Sequence, residues 1–433
     1  MIPATRSTFF DRWCIKMQTR HAPRRTREGL REGSRMRLLY LQPSSTFGGA
    51  ERQASIAVPL LTKLGFDVTT MVGPSTSGLD WLREYGVDDL VHTPDFPGGW
   101  RKPRGFERLA LPGRYLRCVR RVAAQVHSVA VERGADIIFA AMAFSWVAAT
   151  PVARQLGIPI VWRAGGTEGG FLERLALRAW AAFNPPDLLI CCGEDVRRMF
   201  APLIPAPAVV VPNGVDVERF DPQTDAPAWF RPPGAKVVIG FGARLAPQKR
   251  PEDVIRAAAL LAPAYPEAAF IIAGEGSRRA DYEELARSLG VANAVRFVGY
   301  VPDMRSFYAS VDIVVLPSRS EGCPNVVLES MAMRRALVVS DSAGSREVVT
   351  NGVNGLMFPV GDVGALANQL RRLLDDPVLC TTLARRGYER AVRSFGAQAS
   401  ATRLAGVLRR QLIPGSDARS VIAVPPLKEA ART

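Results

Sequence analysis

The chain has 433 residues, 47% of them apolar and 22% charged, which excludes a disordered or fibrous chain and leaves room for two globular cores. Its net charge of +15 is partly a basic arm, since residues 1–35 hold nine Lys or Arg against three acids and the rest of the excess is spread thinly. That distribution favours anionic ligands or an anionic membrane surface over a nucleic-acid groove.

Residues 1–35 carry Arg throughout and no apolar stretch of the signal-peptide kind. They are expected to be a disordered arm or a mis-set start, with the fold opening at Met36. Six cysteines without a Cys-x-x-Cys pair, and three histidines without ligand spacing, argue against a disulfide framework or a zinc site and suit a cytoplasmic location. The longest uncharged run, Ile137 to Ala153, is short for a membrane span and reads as strand, loop and helix start.

From Met36 short apolar runs alternate with helical patterns. Strands are predicted at 37–41, 67–72, 136–140, 159–163, 188–192 and 209–211, with a helix over 50–64 after the Gly48-Gly49 turn. The Pro- and Asp-rich stretch 212–234 reads as a linker. The pattern then restarts, with strands at 237–241, 269–273, 295–298, 313–316 and 336–340 and helices at 251–261, 281–289, 304–310 and 325–333. A short extended piece at 355–358 and helices at 363–374, 381–394 and 397–412 follow. Such alternation predicts two Rossmann-like parallel sheets, in domains 36–215 and 216–395. A helix at 396–413 is expected to cross back to the first domain, and 414–433 to form a flexible tail.

One constellation lies in the second half. Arg244 follows the strand 237–241, and Lys249 sits five residues later. Both project from the carboxyl end of a strand, where open α/β sheets bind ligands, and a fork plus a point charge suits a diphosphate. Either cation alone is as well explained by a solvated loop. The pairs Gly240/Gly242 and Gly274/Gly276 lack the third glycine of a dinucleotide fingerprint. The second element is Glu321-Gly322-Cys323-Pro324-Asn325-Val326 with Glu329 beyond it. Gly322 lets backbone approach a ligand, and a helix starting near Val326 directs free amides at the loop. Glu329, expected in the first turn, can accept from vicinal hydroxyls such as those of a ribose. Glu321 can hold a sugar hydroxyl or stabilise positive charge at an anomeric carbon. Macrodipole placement and a solvated loop explain either acid singly, but not the pair.

These segments, with 211–216, 271–276, 297–301 and 338–362, resemble the retaining glycosyltransferases of the GT-B fold, in the group 1 family with two glutamates seven residues apart. The resemblance covers residues 36–412 and is most specific from Val237 to Asp362. It implies that Arg244 and Lys249 grip the donor diphosphate, Glu329 holds the ribose and Glu321 touches the transferred sugar. It also places the backbone of Gly322, Cys323, Pro324, Asn325 and Val326 against sugar and phosphates, and Val301 near the base. Gly48 and Gly49 match the turn that lets the first domain approach donor and acceptor. The implied chemistry is a same-face displacement through an oxocarbenium-like state, with the leaving phosphate taking the acceptor's proton. Catalytic roles then fall to Glu321, Arg244 and Lys249. With no Asp-x-Asp motif, no metal and no cofactor are expected.

Two positions depart from the family pattern. The His that often follows the strand 136–140 is absent, leaving Ser145 or the loop from Arg163 to Glu168 as substitutes, and Arg250 replaces the Gly after Lys249. A further feature is the cluster Arg101, Lys102, Arg104, Arg108, Arg114, Arg117, Arg120 and Arg121, with one acid, Glu107, among them. It reads as a solvated helix face over a valine stripe, or as a patch for anionic lipid. The expected function is transfer of a hexose or hexosamine from a UDP- or GDP-sugar to a glycolipid or growing polysaccharide, peripheral to the inner membrane face. A soluble small acceptor, a phosphorylase or isomerase, and a non-catalytic sugar-nucleotide-binding subunit are the alternatives.

Overall fold

The computed structural model describes residues 35–42, 48–73, 82–93, 96, 107–166, 171–225 and 231–411. Arg101, Lys102, Arg104 and the arm and tail proposed at the two ends lie outside them, apart from Arg35.

The first lobe is a seven-stranded parallel sheet of β1 (Met36–Gln42), β2 (Phe66–Val72), β3 (Leu90–His92), β4 (Ile137–Ala141), β5 (Ile160–Ala164), β6 (Leu188–Cys191) and β7 (Ala208–Val210). Their order in the sheet is β3-β2-β1-β4-β5-β6-β7. Helices α1 (Gly49–Lys63), α2 (Glu107–Glu132), α3 (Met142–Leu156), α4 (Phe171–Phe183) and α5 (Glu194–Phe200) connect them. β4 and β6 are buried at every position, as strands covered by helices on both faces must be.

The second lobe repeats the plan with six parallel strands: β8 (Val237–Gly242), β9 (Ala268–Ala273), β10 (Val295–Gly299), β11 (Ile313–Leu316), β12 (Ala336–Ser340) and β13 (Leu356–Phe358). The order is β10-β9-β8-β11-β12-β13. Its helices are α6 (Pro251–Leu261), α7 (Arg279–Ser288), α8 (Met304–Ser310), α9 (Asn325–Ala332), α10 (Ala343–Val348), α11 (Val363–Asp375) and α12 (Pro377–Phe395). α12 starts four residues before its predicted position. Pro377 occupies its first turn, where a missing N–H costs nothing, and Asp376 accepts from the Leu379 amide at 2.8 Å.

Helix α13 (Ala397–Gln411) lies against α1, and Leu404, Ala405, Val407 and Leu408 join the cluster of Leu38, Ala54, Val58 and Phe66. The chain therefore crosses between lobes twice, at Val215 and at Gly396. The Val215 amide donates to Phe395 O at 2.8 Å and the Ala397 amide to Val215 O at 2.9 Å. One apolar cluster runs continuously from the first sheet through Cys192 and Cys323 to Val327 and Met331 of the second lobe.

The two Gly-x-Gly pairs are packing devices. A Cβ on Gly240 would lie 2.7 Å from the Phe307 ring, and one on Gly242 2.8 Å from Met304, so α8 can sit on β8 only over bare backbone. Gly274, at φ +135°, has room for no Cβ because the carbonyl oxygen of Ala243 occupies that place. Gly274→Ala should cost about 3 kcal/mol or more in urea denaturation. Gly290→Ala, at φ +72° with open space around it, should cost only backbone strain, about 1–2 kcal/mol.

Candidate active site

In an open parallel sheet, the loops after the two strands flanking the reversal of strand order diverge and leave a crevice. In the second lobe those strands are β8 and β11. The loop after β8 carries Arg244 and Lys249, and the loop after β11 carries residues 317–324. The fold brings the two together: Lys249 Nζ donates to Glu321 Oε1 at 2.6 Å, with Glu321 9% exposed. Gln248 Nε2 donates to Ser320 O at 3.1 Å and pins the same loops. Arg244 stays exposed at the mouth.

Arg250 has φ +52° and ψ +50°, the left-handed region in which glycine is at ease. A side chain there costs about 1–2 kcal/mol. The guanidinium offsets that cost by a two-pronged pair with Asp253, Nε to Oδ2 at 2.6 Å and Nη2 to Oδ1 at 2.8 Å, while Asp253 is 1% exposed. Burial works against the charge, but the Asp253 hydrogen bonds dominate and raise the Arg250 pKa.

Helix α9 begins at Asn325 after Pro324; the Val327 and Leu328 amides donate to Pro324 O at 3.1 and 3.3 Å, which leaves those of Asn325 and Val326 without an intrahelical acceptor. The side chain of Asn325 fastens this helix to the other lobe. Its Oδ1 accepts from Gln53 Nε2 at 3.0 Å and Asn213 Nδ2 at 2.9 Å, and its Nδ2 donates to Gly49 O at 3.0 Å. Asn213 Nδ2 also donates to Cys323 O at 2.8 Å. Pro324 is buried and Val326 half-buried at the same helix start. Gly48 caps α1 and, like Gly49, is exposed.

Several expectations are corrected. The close approach at Gly322 is to protein: a Cβ there would lie 2.6 Å from Gly165 O and 2.8 Å from Cys192 Sγ of the first lobe. Glu329 stands in the second turn of α9, because the helix starts at Asn325, and it is 3% exposed. Its Oε1 accepts from Arg52 and its Oε2 from the Tyr308 hydroxyl at 2.8 Å. Burial, reinforced by the Glu329 charge, raises the Tyr308 pKa well above its ordinary value, so the phenol remains a donor. Ser145 is fully buried and donates to Ala141 O and Met142 O, so it cannot stand in for the missing His. Arg163 donates to Asn213 Oδ1 at 2.8 Å, and Thr167 and Glu168 lie outside the described residues.

Val301 is buried, in the same apolar cluster as Phe307 and Tyr308. Burial drives the Cys323 thiol pKa far up, and those of Cys191 and Cys192 up to about 12, so none offers a thiolate nucleophile. On α2, Arg114, Arg117, Arg120 and Arg121 are exposed while Val119, Val122 and Val126 are buried.

Arg52, Gln53, Asn213, Tyr308 and Glu347 escape sequence reasoning. Glu347 reaches over from α10 and accepts from the amides of Glu194 and Asp195 at 2.7 and 2.8 Å, capping α5 of the opposite lobe. Arg52 could have been noticed, because a cation in the first turn of a helix opposes the macrodipole and needs a partner elsewhere.

Two family models match the chain, glycosyl transferases group 1 over residues 224–390 and glycosyltransferase family 4 over residues 47–219. Over 283 residues it is 30% identical to a glycogen synthase of Mycobacterium tuberculosis, covering 61% of this chain and 67% of the relative. Over 373 residues it is 27% identical to a GDP-mannose-dependent alpha-(1-6)-phosphatidylinositol monomannoside mannosyltransferase of Mycolicibacterium smegmatis, covering 79% of this chain and 97% of the relative. Anabaena HepE, crystallised with UDP and glucose, superposes with a TM-score of 0.70 at 21% identity, covering 87% of this chain and 100% of that one. The chain spans about half the length, 49% and 50%, of two other curated relatives it matches, glycosyltransferases of Bacillus subtilis and Rhizobium meliloti. The superposition agrees with the two-lobed GT-B architecture.

Arg52→Ala strands a buried carboxylate and should cost about 3–5 kcal/mol in chemical denaturation. Glu329→Gln in the same background should recover part of that loss, and a double-mutant cycle with no coupling between the two would refute the pair.

Proposed function

The chain belongs to the group 1 glycosyltransferase family, and on that premise we propose that it transfers a hexose or hexosamine, with retention, from a UDP- or GDP-sugar to a hydroxyl of a glycolipid or growing polysaccharide. The observation that carries this proposal is the meeting of Lys249, Glu321 and the start of α9 at the reversal point of the second sheet, with the first lobe facing them. Support for a nucleotide-sugar donor comes from a relative named for GDP-mannose and a neighbour crystallised with UDP and glucose.

In this proposal the diphosphate lies between the Arg244 guanidinium, the Lys249 ammonium and the first amides of α9. Those groups stabilise charge as the anomeric C–O bond to phosphate breaks. Glu321, released from Lys249 by the incoming anion, faces the sugar and stabilises its developing positive charge. The acceptor oxygen attacks from the side the phosphate leaves, and its proton passes to a phosphate oxygen, so no protein nucleophile is required. The protonated thiols of Cys191, Cys192 and Cys323 agree with that. Glu329, with Oε1 and Oε2 already turned by Arg52 and Tyr308, is oriented to accept from the ribose hydroxyls. The diphosphate charge is met by side chains and helix amides, without a metal or cofactor.

The exposed Arg face of α2 supports peripheral binding to anionic lipid beside a lipid-linked acceptor. No described helix is long and apolar enough to cross a membrane.

A panel of UDP- and GDP-sugars tests the function, with acceptor-dependent release of nucleoside diphosphate as the expected outcome. Heat of UDP or GDP binding without any release would favour a binding subunit. Lys249→Ala should lower kcat roughly 10²–10³-fold, and activity within about twofold of wild type would refute its role. Glu329→Ala should chiefly raise the donor KM. In liposome sedimentation, binding to anionic vesicles should exceed binding to neutral ones and fall with salt, and Arg114, Arg117 and Arg121 changed together to Gln should remove it.

A further inference from the structure

The first lobe has a reversal point of its own, between β1 and β4, and the side chains there have no part in the donor site just described. Gln42 ends β1 and is 2% exposed, Glu51 lies in the first turn of α1 and is 6% exposed, and Met142 opens α3 directly after β4. Gln42 Nε2 donates to Glu51 Oε1 at 3.0 Å and lies 3.9 Å from Met142 Sδ. That amide is the only polar partner of the Glu51 carboxylate among the described residues. Gln42 Oε1 is buried and has no donor among the described residues.

One unanswered acceptor, Gln42 Oε1, thus stands beside a carboxylate whose partner is a single neutral amide. Burying an unanswered acceptor costs about 1–3 kcal/mol, and a carboxylate with one neutral partner costs more. Met142 adds a third irregularity: its φ of +69° is rare for a residue with a side chain, it is 45% exposed, and such outliers gather at ligand sites. The chemistry is selective. A cluster of acceptors with no cation repels phosphate and suits a group that donates hydrogen bonds. The first turn of α1 also holds Arg52, on Glu329, and Gly49 O, on Asn325, so this cluster borders the gap between the lobes.

We propose that Gln42 and Glu51 form a hydroxyl-binding subsite that orients a neutral sugar against the donor site, at the reversal point where sequence reasoning finds the family His missing. Gln42 Oε1 and the free oxygen of Glu51 accept from two hydroxyls of one ring, and Met142 packs against its apolar face. The sugar is either the transferred unit or the acceptor, and both present the same hydroxyls. The subsite rests on the glycosyltransferase reading, and the test separates the two.

Glu51→Gln conserves shape and can keep the bond to Gln42, so its melting curve should stay close to wild type, whereas Gln42→Met takes the amide from the Glu51 carboxylate and should lower the melting temperature while the fold is retained. Calorimetric affinities for UDP and GDP, which engage the other lobe, should stay within about twofold. Turnover should nevertheless fall about ten- to a hundredfold, the range of a lost hydrogen bond to a charged group. Hydrolysis of UDP-glucose, UDP-N-acetylglucosamine and GDP-mannose without acceptor, and its stimulation by myo-inositol, methyl α-mannoside and maltose, would be followed for each variant. A fall in both rates assigns the subsite to the transferred sugar, and a loss of stimulation alone assigns it to the acceptor. Both rates within twofold of wild type in both variants would mean that water alone fills the cluster and would overturn the proposal. Loss of UDP and GDP binding in the variants would overturn it too, because the side chains would then serve lobe closure. A wild-type chain that binds neither nucleotide and hydrolyses no sugar donor would overturn the function itself, and the subsite with it.

Discussion

A carboxylate that is 3% exposed must be answered by positive charge or strong donors, and Glu329 receives its cation from the opposite lobe. Much of the interlobe geometry follows from that. Arg52 reaches Glu329 only if α1 points its first turn across the gap, which the exposed Gly48 and Gly49 allow by presenting no side chain there. With α1 so placed, Gly49 O and Gln53 meet Asn325, Asn213 meets Cys323 O, and Gly322 presses on Gly165 and Cys192. On the far side Glu347 caps α5. The seam is polar and specific at the donor end and apolar at Cys192 and Cys323, so separating the lobes exposes unpaired charge as well as apolar surface.

The second lobe was largely legible because its strands are short, apolar and punctuated. β11, β12, α6 and α8 fall where their patterns put them, since a run such as Ile-Val-Val-Leu between turn residues has few other outcomes. The first lobe was harder. β3 is three residues long and too brief to show a period, and α2 begins at Glu107, upstream of Pro112 and Gly113, residue types that disfavour a helix interior. In the second lobe α10 is only six residues, opening on Ala, Gly and Ser, below the length at which helical periodicity shows. In the site, loops at strand ends pointed to Arg244, Lys249 and the 321–329 segment. The Lys249–Glu321 pair, 72 residues apart in the chain, could not be read from spacing. Contacts of Arg52 and Asn213 across the gap are products of tertiary closure, and no local pattern encodes them.

Arg250 shows how a break in a local rule can be compensated close by. The position demands a positive φ, and a Gly would meet that demand at an entropic cost in the unfolded chain. An Arg pays in backbone strain but brings a fork that neutralises Asp253, three residues on and buried at the start of α6. Asp253 in turn favours the positive end of that helix. The strain and the ion pair are therefore one device, and it fixes the residue next to Lys249.

The charges at the interlobe gap are mutually satisfied before any donor arrives, Lys249 by Glu321 and Glu329 by Arg52, while Arg244 stays exposed. A diphosphate that took Lys249 would free Glu321, and a free carboxylate next to a dianion is unfavourable unless positive charge appears beside it. In the displacement proposed for this site such charge appears only as the anomeric carbon loses its leaving group. On that proposal the Lys249–Glu321 pair holds the carboxylate in a neutral partnership until a donor binds, and the stabilising value of Glu321 is realised in the transition state more than in the bound ground state. An interaction weighted that way raises turnover without deepening the ground-state well, which is the condition for binding energy to become rate.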